Sequence, residues 1–113
     1  MKEIVIAFDV DGTILNNEGI PPETPPHLRP KTTVNLPVIS LLQLLARHTK
    51  NVRVIVWSGG GKEYAERVCR EYGLERWVDR CYAKGECYEE VDIAFDDQHS
   101  FDLAIANIIV KMK

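Results

Sequence analysis

The chain has 113 residues, 45% of them hydrophobic and 27% charged, with a formal net charge of −3 at pH 7. That length suits one domain that buries roughly 65% of its unfolded surface around a single core, and the composition excludes disordered and fibrous classes. The acidic balance gives no general nucleic-acid signal, although phosphate recognition needs only local positive charge.

At the N-terminus only Lys2 precedes a short apolar run interrupted by Asp9. This is neither a signal peptide nor a membrane span, so a cytoplasmic protein with no membrane partner is expected. Residues 4–8 are apolar without polar alternation, the pattern of a central parallel strand covered on both faces. A polar stretch from Asn16 to Leu36 follows, and all six prolines fall between Pro21 and Pro37. Residues 16–36 therefore predict an extended Pro-rich surface loop rather than a helix.

From Pro37 onward Val38, Leu41, Leu42 and Leu45 repeat at helical spacing, and Arg47, His48 and Lys50 crowd the end favoured by the helix dipole. Residues 52–57 read as the next strand, broken by Ser58-Gly59-Gly60-Gly61. A second helix over about 61–72 places Ala65, Val68, Cys69 and Tyr72 on one face and stops at Gly73. Residues 80–83 and 91–95 are further strands, the latter ending in Asp96-Asp97. For the tail we expect a short helical turn near 100–105 and an edge strand at 107–111. Tyr64, Tyr72, Trp77 and Phe101 read as core aromatics. Cys69, Cys81 and Cys87 are odd in number and have no Cys-x-x-Cys spacing, so they read as reduced thiols without a disulfide framework or zinc knuckle.

Alternating strands and helices point to a parallel α/β sheet, whose ligands collect beyond the carboxyl ends of the strands. Asp9, Asp11, Ser58, Lys84, Asp96 and Asp97 each follow an apolar run and so share that rim. Four carboxylates there would repel one another unless a positive group sits between them. Mg²⁺ answers this, since it takes one or two carboxylates and keeps waters for a phosphate. Ser58 and Gly59, ahead of a helix, offer a hydroxyl and free amide groups for an anion, and Lys84 adds a point charge. Phosphoryl transfer, which rests on positioning and charge neutralisation, needs this set of groups.

The strings "DVDGT" (9–13), "VIVWSGG" (54–60), Lys84 in "YAKG" and "IAFDD" (93–97) resemble, in order, the four signature elements of the haloacid dehalogenase superfamily, in its Asp-x-Asp phosphatase branch. The resemblance implies a single Rossmann-like core over 1–113, a three-layer α/β sandwich with a mainly parallel sheet. It also implies a Mg²⁺-dependent phosphatase acting on a phosphorylated substrate, either a small molecule or a macromolecular end. Asp9 would be the nucleophile, forming an aspartyl phosphate, and Asp11 the general acid/base. Mg²⁺ would be held by the Asp9 side chain, the Asp11 carbonyl and Asp96, with Asp97 a ligand through water or a supporting group. Ser58, Gly59 and Lys84 would hold the phosphoryl oxygens, and Gly12 would permit the tight turn. Neither gap between the elements has room for a packed cap domain, so the site is expected to be open, or lidded by the 16–36 loop or by a second copy of the chain.

Other readings compete. Asp9, Asp11, Gly12, Ile14 and Glu18 fit part of a calcium-binding loop, but Ala7 would stand at its first position and a strand precedes it where a helix is required. A phosphoacceptor receiver domain, or a metal-binding module without turnover, shares the acidic residues, hydroxyl and lysine, in a different order. Lys62 could replace Lys84, Ser58 and Asp97 could be helix caps, and His99 could reach substrate. His27 and His48 show no metal-ligand spacing.

Overall fold

In a computed structural model, residues 3–16, 23–28, 33–98 and 103–110 are described. Five strands, β1 (Ile4–Asp9), β2 (Val52–Ser58), β3 (Arg80–Ala83), β4 (Val91–Asp96) and β5 (Ala104–Ile109), alternate in part with two helices, α1 (Leu36–His48) and α2 (Lys62–Glu71). All neighbouring strands pair in parallel, in the order β3-β2-β1-β4-β5. The protein is thus a small single-domain α/β fold of Rossmann-like type.

The steps from β1 to β2 and from β2 to β3 run the same way across the sheet. Right-handed crossovers then place α1 and α2 on one face. There Val38, Ile39 and Leu42 of α1 and Ala65, Val68 and Cys69 of α2 pack over Ile6, Phe8, Val54, Val56 and Phe95. The chain returns across the sheet between β3 and β4, so the connections after β3 and β4 serve the opposite face. Cys87 and Leu103 pack there against Val5, Ala7, Ile55, Trp57, Tyr82, Val91 and Ala94. Among the described residues this second outer layer is made of connecting segments and contains no helix.

The first four strands and both helices lie within a residue or two of the positions predicted from sequence. Burial on α1 centres on Val38, Ile39 and Leu42, with Leu41 and Leu45 half-buried. α2 ends in a Schellman arrangement: the Leu74 amide donates to the Cys69 carbonyl (2.8 Å) and the Gly73 amide to that of Arg70 (3.3 Å). Gly73 accepts the φ of +68° that this turn requires. The tail differs from expectation. β5 begins at Ala104, inside the predicted helical turn, because backbone pairing with β4 from Val91↔Ala104 to Asp96↔Ile109 recruits the β-branched residues. Phe101 and His99 lie outside the described residues, as do positions 17–22 and 29–32 of the Pro-rich loop.

The neck of that loop is well defined. The Asn16 amide donates to the Thr33 carbonyl (2.9 Å), and the Asn16 side chain donates to Thr33 Oγ1 and the Val34 carbonyl (3.0 Å each). Leu15 bridges both Asp11 and Val34. The segment therefore leaves the sheet and returns at one place, next to the turn that carries Asp11.

Candidate active site

Strand order reverses between β1 and β4, and in open α/β sheets the crevice at such a switch point takes the ligand. Asp9 ends β1 and Asp96 ends β4. Their side-by-side placement follows from register: Phe8 pairs with Phe95 across the two strands, and the rings stack with centroids 4.7 Å apart. An apolar aromatic pair thus brings two carboxylates together one residue further on.

Asp9 is 6% exposed and Asp96 fully buried. Asp97 joins them, and single oxygens of Asp9, Asp96 and Asp97 lie within 4.8 Å of one another. An octahedral Mg²⁺ with bonds of about 2.1 Å separates its ligands by roughly 3 Å (cis) to 4.2 Å (trans). Three hard oxygens spaced this way fit such an ion with small side-chain movements.

Crowding and burial set the electrostatics of the cluster. Burial first, then the charge of Asp96, with Asp97 and Asp11 adding and Lys84 opposing, pushes the Asp9 carboxyl up to about 8. Burial also raises Asp97, assisted by its contact with Asp96. Burial works against ionisation of Asp96 too, but the Lys84 ammonium and the Gln98 amide (3.0 Å) outweigh it and hold that carboxyl below its usual range. Without a cation the cluster keeps protons it would otherwise lose.

Gly12 closes the turn with φ +79°, and a Cβ there would lie 2.7 Å from Asp97 Cγ. Its lack of a side chain lets the loop after β1 pass against the Asp97 carboxylate. Asp11, half-buried in this turn, accepts a hydrogen bond from the Tyr64 hydroxyl at 2.8 Å. Burial raises the Asp11 carboxyl, and Tyr64 partly offsets the rise. Ser58, 1% exposed, ends β2, and its Oγ accepts the Gly60 amide at 3.0 Å. Gly59 is exposed in the same turn, with open space around it. The Lys84 amide donates to the Ser58 carbonyl (2.8 Å) while its ammonium bonds Asp96.

The structure thus gathers Asp9, Asp96, Asp97 and Lys84 in direct contact, with Asp11, Ser58 and Gly59 on the same rim. Lys62 is exposed at the start of α2, and the charge it presents acts on Cys81. His27 is exposed, and so is His48. Tyr64 is the contact at this rim that sequence reasoning missed. Read as a core aromatic, it does pack partly against the main core, but its hydroxyl reaches Asp11. The signal available was its place in the first turn of the helix that follows Ser58. No family model, no curated protein and no solved structure matches the chain. Among the described residues no helix is long and apolar enough to cross a membrane.

Proposed function

We propose that the protein is a Mg²⁺-dependent phosphatase of the haloacid dehalogenase type, hydrolysing a phosphate monoester through an aspartyl phosphate on Asp9. The observation that carries this is the meeting of Asp9, Asp96 and Asp97 at the β1/β4 switch point, two of them buried and all within ligand distance of one another. Mg²⁺ held by these carboxylates and by the Asp11 carbonyl would supply the positive charge that lets Asp9 ionise at neutral pH.

Asp9 attacks phosphorus in line with the ester oxygen, and the P–O bond to the leaving group breaks as the new one forms. Asp11, whose carboxyl is raised by burial, gives its proton to the departing oxygen. As a carboxylate it then takes a proton from the water that attacks the aspartyl phosphate, which regenerates Asp9 and releases phosphate. Ser58, the first-turn amides of α2 and Lys84 bind phosphoryl oxygens as charge builds on them. The substrate is a phosphorylated small molecule or macromolecular end, and an open rim suits either. A second copy of the chain, or the loop held at the Asn16–Thr33 neck, would serve as its lid.

Strand order disfavours a receiver-like module without turnover. Flavodoxin-like receivers use 2-1-3-4-5, whereas this sheet runs 3-2-1-4-5. The test is release of phosphate from an aryl phosphate with Mg²⁺. Many turnovers per chain are expected, and Asp9→Asn should lower the rate by about a thousandfold or more. Labelling of Asp9 once per chain without continued release would favour the receiver, and unchanged turnover in Asp9→Asn would eliminate the mechanism.

A further inference from the structure

Cys69 and Cys81 are far from a disulfide signature in sequence, yet the fold brings Cys69 Sγ to 3.8 Å from Cys81 Sγ in a thiol hydrogen bond. Cys69 lies on the inner face of α2 and is 2% exposed, while Cys81 on β3 is half-buried against the same core. Cys87 is also a free thiol, and its sulfur instead faces the Glu89 carbonyl at 3.7 Å. We infer that Cys69 and Cys81 form a reversible redox site, closing an intrachain disulfide between α2 and β3 when the chain meets a two-electron oxidant of the hydroperoxide class.

The two thiols divide the work. The Cys69 hydrogen bond lowers the Cys81 thiol, against burial and Glu66 and with help from Lys62 and Arg70. Cys69 is raised first by that same bond, then by burial, with Glu75 and Glu66 adding. Cys81, the more exposed of the two, is the attacking thiolate and Cys69 the resolving thiol. The Cys81 thiolate attacks a peroxide oxygen, the O–O bond breaks, and hydroxide leaves a sulfenic acid on Cys81. Cys69 sulfur then attacks Cys81 sulfur, the S–O bond breaks, and the departing hydroxide takes the Cys69 proton as water. The two thiols lose two electrons in all, and the peroxide gains them. The bridge ties the helix that carries Tyr64 to the strand that leads into Lys84, and it forms whatever chemistry the acidic rim performs.

The test treats the folded full chain with equimolar hydrogen peroxide, then denatures and alkylates it with iodoacetamide. The expected product has lost two hydrogens and is alkylated at Cys87 alone. A tryptic digest should yield the peptide bearing Cys69 linked by the disulfide to the one bearing Cys81, and dithiothreitol should restore alkylation at all three thiols. Cys87→Ser should form the bridge as readily as the wild type, and Cys81→Ser should leave Cys69 reduced. The oxidised wild type should also melt at a higher temperature than the reduced chain, a difference absent in Cys81→Ser. Full alkylation of the oxidised wild type, sulfinic acid on Cys81 without a bridge, or a bridge that runs through Cys87 would each overturn the inference.

Discussion

Gly12 combines a φ of +79° with a carboxylate packed where its side chain would be, so Gly12→Ala meets two penalties at once. The left-handed backbone costs a non-glycine residue about 1 kcal/mol, and the clash with Asp97 adds to it. Urea denaturation should show a loss of more than about 1 kcal/mol, and calorimetric titration should show weaker Mg²⁺ binding, because Asp97 must move. Wild-type Mg²⁺ affinity in the variant would mean that Asp97 is no part of the ion site. Tyr64 makes a different claim. Its hydroxyl orients Asp11, so under the proposed mechanism Tyr64→Phe should keep the fold and the Mg²⁺ affinity while kcat falls about tenfold, in line with the loss of one hydrogen bond. An effect confined to KM would assign Tyr64 to substrate binding instead.

Elements meet through contacts that no local pattern announces. Arg53 on β2 binds Glu89 in the β3–β4 connection with both guanidinium NH2 groups, while Asp79 and Glu3 pair with the same side chain. Tyr82 donates to Glu89 as well. Arg53 foremost, against burial, holds the Glu89 carboxyl below its usual value of 4.5. A carboxyl with a depressed folded pKa contributes stability that is complete above the unfolded value and lost as pH falls through the folded one. Glu89→Gln should therefore cost about 1–3 kcal/mol at pH 7, and the gap from wild type should narrow in melts run progressively below pH 4.5. A gap that persists there would assign the loss to packing. This joint illustrates what the sequence does and does not reveal. The rim residues were legible because each ends an apolar run, and α1, α2 and the first four strands because period and punctuation agree. Arg53–Glu89, Tyr64–Asp11 and Cys69–Cys81 depend on crossover handedness and on strand register, which bring together residues 36, 53 and 12 positions apart. The start of β5 was hidden because its apolar spacing fits a helix as well as a strand, and only pairing with β4 decides.

For the whole molecule, the acidic rim couples folding to protons, and the proposed ion site would couple it to Mg²⁺ as well. The folded Asp9 carboxyl sits at about 8, above its ordinary 3.8, so between those values the folded chain holds more protons than the unfolded one. Stability of the metal-free protein then falls as pH rises across that window. Asp96 runs the other way, since its depressed carboxyl adds stability above its unfolded value and loses it below. An ion bound at Asp9, Asp96 and Asp97 competes with the extra protons, and its stabilisation should grow with pH. At a hundredfold excess over Kd, binding contributes about 2.7 kcal/mol, which for a chain of this size raises Tm by roughly 10 °C. Melts with EDTA should therefore decline between about pH 5.5 and pH 8, and saturating Mg²⁺ should flatten that decline. Asp96→Asn should lose the Mg²⁺ increment at both pH values. An increment that is equal at the two pH values, or that survives in Asp96→Asn, would place the ion away from the β1/β4 crevice.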